Sequence, residues 1–275
     1  MYVFRGGAGG VSTTGTATLT NANVPFGGGL AGGDYNGDGY ADVAVFGNDQ
    51  IVLHYGTAAG LGSTAASSPA SFYNCYGIHP AGDVNGDGYA DLLAVGANNP
   101  PSRVYRGGSG GLGTTYLDYT EIGTGGVGRA AGDLDGDGYG DVVIGPFYPN
   151  PSAGGSASIY AGRAGGINTT PFNLYDSDGW FGLGVNGAGD VNGDGYADLL
   201  VGAPGGGNFA RVYPGSSSGV SSATYSQLSG TGNFGQGLAR IPSPRAPDQR
   251  ATVMACLDRS AQLRRPSPRR IDAHW

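Results

Sequence analysis

The sequence predicts an all-β fold, a β-propeller of four-stranded blades, on three observations. An aspartate-rich nonapeptide occurs four times, at steps of 49, 50 and 57 residues. Two further landmarks recur with a similar spacing, and glycine makes up 57 of the 275 residues without a collagen period. A repeat of about 50 residues that holds roughly four short strands has the period of a propeller blade. A helical solenoid is disfavoured, because each glycine inside a helix costs about 1 kcal/mol.

The nonapeptide has the pattern Asp-x-Asn/Asp-Gly-Asp-Gly-Tyr-x-Asp. We call its copies loop 1 (34–42), loop 2 (83–91), loop 3 (133–141) and loop 4 (190–198), and number the positions of each from 1 to 9. Side chains with oxygen stand at positions 1, 3, 5 and 9, and glycine stands at positions 4 and 6. In a tightly curled loop these side chains converge on one point, and glycine at position 6 permits the sharp turn.

Hard oxygen ligands in this number suit calcium, with the backbone carbonyl of position 7 as a further ligand. Plain acidic turns are the alternative, since Asp, Asn and Gly are ordinary turn residues. Four aligned copies favour metal, as do three or four carboxylates that repel one another without a cation. We therefore predict about four calcium ions. The predicted metal ligands are Asp34, Asn36, Asp38, Tyr40 and Asp42 in loop 1; Asp83, Asn85, Asp87, Tyr89 and Asp91 in loop 2; Asp133, Asp135, Asp137, Tyr139 and Asp141 in loop 3; and Asp190, Asn192, Asp194, Tyr196 and Asp198 in loop 4.

The loop differs from an EF-hand, which needs a bidentate acid at position 12 and a helix on each side. Position 12 is apolar in all four copies, and it lies in a short apolar run that reads as a buried strand. These residues are Val45, Ala94, Ile144 and Val201. Each loop is therefore predicted to join two strands, with the ring of the position-7 tyrosine packed against the neighbouring blade.

Each blade is predicted to run as strand A before the loop, strand B after it, strand C up to an aromatic-x-Gly landmark such as Tyr105-Arg106-Gly107, and strand D. For the last complete blade these strands fall at about 183–189, 198–203, 209–213 and 224–228. The chain divides into a partial blade with strands C and D (1–20), four blades (21–73, 74–120, 121–176 and 177–230), the start of a further blade (231–239) and a basic tail (240–275).

These residues resemble the FG-GAP repeats of integrin α-subunit propellers and of many bacterial surface proteins. Phe181-Gly182, loop 4 and Gly202-Ala203-Pro204 carry the whole motif, and the other repeats keep part of it. The resemblance covers residues 1 to about 238. It implies a β-propeller, commonly seven-bladed, whose A–B loops bind calcium on one face. No residue of the ligand-binding face can be carried over from integrins.

The number of blades departs from that family. The chain starts within a blade, carries about four full blades plus partial ones, and shows no signal peptide. We expect a fragment of a larger propeller; a small propeller is the alternative. The tail from Arg240 has 8 Arg and 3 Asp but no glycine or tyrosine. It reads either as a disordered basic tail or as a reading-frame shift near residue 240, because one back-translation of 250–255 encodes Gly-Asp-Gly-Asp-Gly in another frame.

Charge and composition exclude several classes of function. Up to Ala239 the chain has 6 Arg against 18 acidic residues, and 13 of those acids lie in the four loops. Such a body is not expected to bind nucleic acid, and no apolar run is long enough to span a membrane. His54 reads as a blade residue, and Asp176 and Asp178 as a turn or, alternatively, a loop of the ligand-binding face. No catalytic constellation appears in the sequence, so we expect no enzyme activity.

The sequence thus predicts a non-enzymatic, calcium-binding propeller that acts outside the cell or on its surface as an adhesion or ligand-binding module. Its partner would be an unknown protein or glycan. Two alternatives remain open at this point. One is the accessory propeller of a secreted enzyme, and the other is a sugar-binding propeller that uses exposed aromatic residues such as Trp180.

Overall fold

The computed structural model describes residues 2–4, 6–7, 10–11, 17–18, 29–62, 72, 75–96, 101–113, 119–123, 125–146, 154–241 and 252–256. Within these ranges every regular element is a β-strand and none is a helix. The strands are β1 (Tyr2–Val3), β2 (Gly6–Gly7), β3 (Gly10–Val11), β4 (Ala17–Thr18), β5 (Gly29–Gly33), β6 (Asp42–Gly47), β7 (Gln50–His54), β8 (Cys75–Gly82), β9 (Asp91–Gly96), β10 (Ser102–Tyr105), β11 (Tyr119–Ile122), β12 (Val127–Gly132), β13 (Asp141–Gly145), β14 (Gly155–Tyr160), β15 (Gly162–Arg163), β16 (Gly166–Ile167), β17 (Phe172–Asp176), β18 (Gly184–Gly189), β19 (Asp198–Ala203), β20 (Phe209–Tyr213), β21 (Ser226–Ser229), β22 (Gly237–Ile241) and β23 (Thr252–Cys256).

Four antiparallel sheets form the body of the molecule. We call them blade 1 (β5-β6-β7), blade 2 (β8-β9-β10-β11), blade 3 (β12-β13-β14-β17) and blade 4 (β18-β19-β20-β21). The fourth strand predicted for blade 1 would fall in 63–71, outside the described residues. Four smaller sheets pair β1 with β4, β2 with β3, β15 with β16, and β22 with β23. The all-β prediction of four-stranded blades is confirmed.

The strands follow the short apolar runs that the sequence marks. Blade 4 has its strands at 184–189, 198–203, 209–213 and 226–229, each within two residues of its predicted bounds. The second strand of every blade holds the apolar residue at position 12 and is fully or almost fully buried. In blade 2, Leu92 and Ala94 belong to the core shared with blade 1, and Leu93 and Val95 belong to the core shared with blade 3. As predicted, each nonapeptide joins the first and second strands of a blade.

The hydrophobic core lies between consecutive blades rather than inside one sheet. Blades 1 and 2 share a cluster around Tyr35, blades 2 and 3 one around Leu93, and blades 3 and 4 one around Phe181. The first strands β5, β8, β12, β18 and β22 pack side by side in that order and form the inner edge of the blades. This is the arrangement of a β-propeller, in which four-stranded sheets repeat around an axis.

The rest of the predicted division of the chain stays a prediction. Within 240–275, Arg240 and Ile241 end β22, and Thr252–Cys256 forms β23, which pairs with β22 from Gly237↔Cys256 to Ile241↔Thr252. The remainder of that tail lies outside the described residues. No helix that could cross a membrane occurs in the described part of the chain.

Candidate metal-binding loops

The aspartate at position 9 is the buried anchor of every loop. In loop 2, Asp91 is fully buried, and its Oδ2 accepts a hydrogen bond from the Val84 amide at 2.8 Å while its Oδ1 accepts one from Gly107 at 2.9 Å. Asp42, Asp141 and Asp198 are held in the same way. Because every one of these donors is a backbone amide, the carboxylate keeps its place whichever side chain stands at position 2.

The glycine that holds each position-9 aspartate was not recognised as functional in the sequence. Gly56, Gly107, Gly162 and Gly215 donate these bonds from just beyond the third strand. A Cβ on Gly107 would lie 2.3 Å from the Ala90 carbonyl oxygen, so only glycine fits this close approach. The signal was present, since these are the glycines of the landmark that ends strand C.

Position 1 organises the tip of the loop. In loop 2 the Asp83 Oδ1 accepts hydrogen bonds from the amides of Gly86 and Asp87 at 2.7 and 3.2 Å, and its Oδ2 accepts one from Gly88 at 2.8 Å. Gly86 and Gly88 have φ of 73° and 87°, in the left-handed region that favours glycine. These turns curl the loop so that the side chains of positions 1, 3 and 5 share one side.

The side chains of positions 3 and 5 contact each other in loops 1, 2 and 4. In loop 2 the Asn85 Nδ2 donates to the Asp87 Oδ2 at 2.8 Å, and the Asn85 Oδ1 accepts from the Asp87 amide at 3.1 Å. Loops 1 and 4 repeat both contacts. The Asp87 Oδ1 accepts from the Tyr89 amide at 3.0 Å, which fixes the backbone at position 7.

Loop 3 gathers the densest set of carboxylates. Asp133, Asp135 and Asp141 each place an oxygen within 4.8 Å of the others, and among the described residues this is the only such group of three acidic, His or Cys side chains. Oxygens this close can all contact one calcium ion at about 2.3–2.6 Å. Asp137 is outside the group, and its Oδ1 accepts a hydrogen bond from the Tyr139 amide. Loops 1, 2 and 4 have asparagine at position 3, so they carry one carboxylate fewer.

The electrostatics of the loops favour a cation. Burial raises the pKa of Asp91 and of Asp141 to about 7; the backbone amides that bind them lower it, and the other aspartates of the same loop raise it. Burial likewise raises the pKa of Asp42, Asp135 and Asp198. A nearby divalent cation would favour the charged form of these carboxylates. The donor set, the spacing of loop 3 and the crowded negative charge therefore fit calcium.

The prediction that the position-7 tyrosine packs its ring against a neighbouring blade is confirmed in loops 2, 3 and 4. The rings of Tyr89, Tyr139 and Tyr196 lie against the position-4 glycine of the preceding loop. Tyr40 is 44% exposed, and most of the blade that would precede it lies outside the described residues, so for Tyr40 the expectation stays a prediction.

Three other residues named in the sequence analysis, His54, Trp180 and Asp178, pack or form hydrogen bonds within the blades and their connections. His54 is a buried residue of the third strand of blade 1, with its Nδ1 3.1 Å from the Gly62 carbonyl oxygen, so its prediction as a blade residue is confirmed. Trp180 is half-buried rather than exposed, because its ring packs against Gly205. It therefore does not match the expectation of an exposed aromatic residue. The Asp178 Oδ1 accepts from the Trp180 amide at 3.0 Å, and its Oδ2 accepts from Gly207.

An ion pair with aromatic contacts, centred on one arginine, lies between blades 3 and 4 and was not predicted from the sequence. Arg211 forms an ion pair with Asp176 at 2.6 Å and lies over the rings of Phe209 and Tyr225 at 4.5 and 4.2 Å. Asp176 therefore connects two blades. The contact depends on residues 35 positions apart, and no local pattern marks it.

A propeller whose blades each carry an aspartate-rich loop between the first and second strands defines a class of repeat proteins. The sequence model of the FG-GAP-like repeat matches residues 34–94, 83–144 and 133–201, and that of the FG-GAP repeat matches 182–221. The matches cover more than half of the chain, and the chain belongs to the FG-GAP repeat family.

Two comparisons give individual relatives. Integrin alpha-6 of Gallus gallus is 39% identical over an alignment of 111 residues, and this alignment covers 36% of this chain and 10% of the integrin. The chain thus spans about a tenth of the length of this curated relative. Among solved structures, a rhamnogalacturonan lyase of Bacillus licheniformis superposes on 84% of this chain and on 55% of the lyase chain, with 14% sequence identity and a TM-score of 0.42. This similarity is too low to bear on function.

Proposed function

We propose that this chain is a non-enzymatic propeller that binds calcium in loops 1 to 4 and acts as an extracellular adhesion or ligand-binding module. One observation carries the proposal: four loops repeat one hydrogen-bond scheme around a buried aspartate, and in loop 3 three carboxylates lie within 4.8 Å of one another. A buried carboxylate without a cation would be costly, and four repetitions of that cost are explained most simply by four ions.

The extracellular setting agrees with the type of site. These loops are short, and their position-1 and position-5 aspartates are partly or largely accessible to solvent. Extracellular calcium modules bind with a Kd of about 10⁻⁴–10⁻³ M, which suffices where calcium is abundant. Similarity to integrin alpha-6 supports a protein as the ligand.

Calorimetric titration of the metal-free chain with calcium tests the metal part of this proposal. We expect about four ions per chain, and one fewer in the variant Asp87→Ala, which removes a predicted ligand of loop 2. A stoichiometry below three, or an unchanged count in the variant, would contradict the assignment.

The ligand-binding part needs its own experiment. The chain is immobilised and exposed to extracellular matrix proteins and to a glycan array, in calcium and in chelator. Calcium-dependent capture of a matrix protein is the expected result. Capture of glycans alone would favour a sugar-binding propeller, and turnover of a captured glycan would contradict the absence of enzyme activity.

A further inference from the structure

Consecutive loops are joined by three contacts that repeat at every junction between blades 1 and 4. The first contact is aromatic. An ideal Cβ on Gly37, Gly86 or Gly136 would lie 2.5–2.6 Å from the ring of Tyr89, Tyr139 or Tyr196 in the following loop. Each ring therefore rests on the position-4 glycine of the loop before it.

The second contact joins backbone groups at positions 8 and 1. The amide of Ala90 donates to the Asp34 carbonyl oxygen at 2.9 Å, that of Gly140 to Asp83 at 2.8 Å, and that of Ala197 to Asp133 at 2.9 Å. In every case the donor comes next to the tyrosine whose carbonyl is a predicted ligand. The acceptor belongs to the residue whose carboxylate organises the preceding loop.

The third contact links the two buried anchors. In loop 1 the Tyr35 amide binds Asp42, and the Tyr35 carbonyl oxygen accepts from the Gly108 amide at 3.0 Å. Gly108 follows Gly107, which binds Asp91 of loop 2. The same connection runs through Val84 and Arg163, and through Leu134 and Ser216, at 2.9 and 3.1 Å.

From these contacts we infer that the calcium sites are coupled, and that Tyr89, Tyr139 and Tyr196 are positioning residues for the loop that precedes each of them. The inference rests on the proposed calcium function. An ion that fixes the position-7 carbonyl of loop 3 also fixes the Tyr139 ring on Gly86 and the Gly140 amide on Asp83. Loop 2 then binds its own ion with less ordering still to be done, which is positive cooperativity.

The ends of the series differ from its middle. Gly193 in loop 4 has no atom within 4 Å of an ideal Cβ among the described residues. Val191 at its position 2 is only half-buried, whereas Tyr35, Val84 and Leu134 are buried. At the other end Tyr40 is exposed and covers no described loop. The coupling therefore joins loops 1 to 4 as a row in which the two middle loops each have two coupled neighbours.

Nuclear magnetic resonance of the whole chain measures each loop separately, because the position-6 glycines Gly39, Gly88, Gly138 and Gly195 provide one amide signal per loop. During a calcium titration we expect these signals to follow steep isotherms with a Hill coefficient above one. In Asp135→Ala, which removes a predicted ligand from the group of three carboxylates in loop 3, loops 2 and 4 should bind calcium about fivefold more weakly or worse, a typical strength of coupling between sites.

Variants of the tyrosine ring separate positioning from folding. Tyr139→Ala keeps the position-7 carbonyl and removes the ring from Gly86, so the affinity of loop 2 should fall more than that of loop 4. Tyr139→Phe keeps the ring and should restore loop 2. Tyr40→Ala removes the same ring where it covers no described loop, so it should weaken loop 2 less than Tyr139→Ala does. A general loss of stability would not produce this selectivity.

The outcomes distinguish the coupling from the metal function. If no glycine signal responds to calcium, the proposed function fails and the coupling with it. If all signals respond but each loop titrates independently, and Asp135→Ala leaves loops 2 and 4 unchanged, calcium binding stands and the coupling is wrong.

Discussion

At the scale of single residues, the decisive feature is one position in the loop. Loop 3 has Asp135 where loops 1, 2 and 4 have asparagine. Its carboxylate joins those of Asp133 and Asp141, and burial together with the charges of Asp137 and Asp133 raises its pKa. More ligand charge generally raises the affinity of a calcium site. Loop 3 is therefore expected to be the tightest site.

Two opposite substitutions at position 3, one in loop 3 and one in loop 2, test this ranking of calcium affinities. Asp135→Asn should weaken loop 3 to the affinity of the other loops, because it removes one carboxylate but keeps an oxygen ligand. Asn85→Asp, the matched change in loop 2, should tighten that loop. Calorimetric titration measures both variants. An unaltered titration of Asp135→Asn would contradict the ranking of the sites.

Two glycines at the same loop position allow local strain to be separated from a contact with the next blade. Gly136 and Gly193 both have positive φ, of 74° and 81°, but only Gly136 lies under a tyrosine ring. Gly193→Ala should cost about 1 kcal/mol from the left-handed backbone. Gly136→Ala should cost about 1–3 kcal/mol more, because its Cβ would overlap the Tyr196 ring.

Urea unfolding in saturating calcium measures that difference in the free energy of unfolding. A truncated neighbour provides the control, since Gly136→Ala in the background of Tyr196→Ala should lose the additional cost. Equal destabilisation by the two glycine variants would show that the Tyr196 ring moves aside at no cost in the free energy of unfolding.

At the scale of the elements, the inner strands carry a polar row. His79 of β8, Arg129 of β12 and Asn186 of β18 occupy the same register, opposite Leu93, Val143 and Leu200. The Arg129 Nη1 lies 2.8 Å from the His79 Nε2, and the Asn186 Nδ2 donates to the Leu238 carbonyl oxygen at 2.9 Å. A guanidinium only donates hydrogen bonds, so the imidazole must be neutral to accept one.

This pair makes the stability depend on pH. Burial and the adjacent Arg129 charge lower the pKa of His79 to about 3, whereas an unfolded histidine has a pKa of about 6.5. Between these values the unfolded chain binds a proton that the folded chain excludes. The free energy of unfolding therefore falls as the pH falls below about 6.5, by about 1–2 kcal/mol at pH 5.

Thermal or urea unfolding of the wild type and of His79→Gln, compared at about pH 7 and pH 5 in saturating calcium, isolates this contribution. The variant should lose the part of the acid sensitivity that His79 supplies. Acid sensitivity that is identical in both chains would show that the pair does not exclude the proton.

At the scale of the whole molecule, the loops and the cores between blades share residues. Tyr35, the position-2 residue of loop 1, is also a fully buried member of the core between blades 1 and 2. Val84 and Leu134 have the same double role in the next two cores. If the loops bind calcium as proposed, the loss of an ion should loosen the packing of two blades as well as the backbone of the loop.

Chelation should accordingly lower the melting temperature of the whole chain. Each ion that binds only the folded state adds RT ln(1 + [L]/Kd), about 2.7 kcal/mol at a hundredfold excess over Kd. Calorimetric scans with calcium and with chelator measure the shift, and added excess calcium should restore the original temperature. A melting temperature that the chelator leaves unchanged would mean that the loops are turns without metal.

The sequence by itself determined the repeat, the loops and the strands on either side of them. These features are local: alternate oxygens in nine residues, glycines at fixed positions, and an apolar run at position 12. They need no knowledge of distant residues. The prediction therefore placed the strands of blade 4 within two residues of their observed bounds, and placed each loop between two strands.

Only the tertiary structure decided what each repeated residue touches. It placed Tyr196 over Gly136 and left Gly193 without a ring, although both glycines occupy position 4 of the repeated loop. It also joined His79 to Arg129 across 50 residues. The physical reason is that these contacts form between blades, where distance depends on how whole sheets pack. A pattern within one repeat carries no information about which repeat lies beside it.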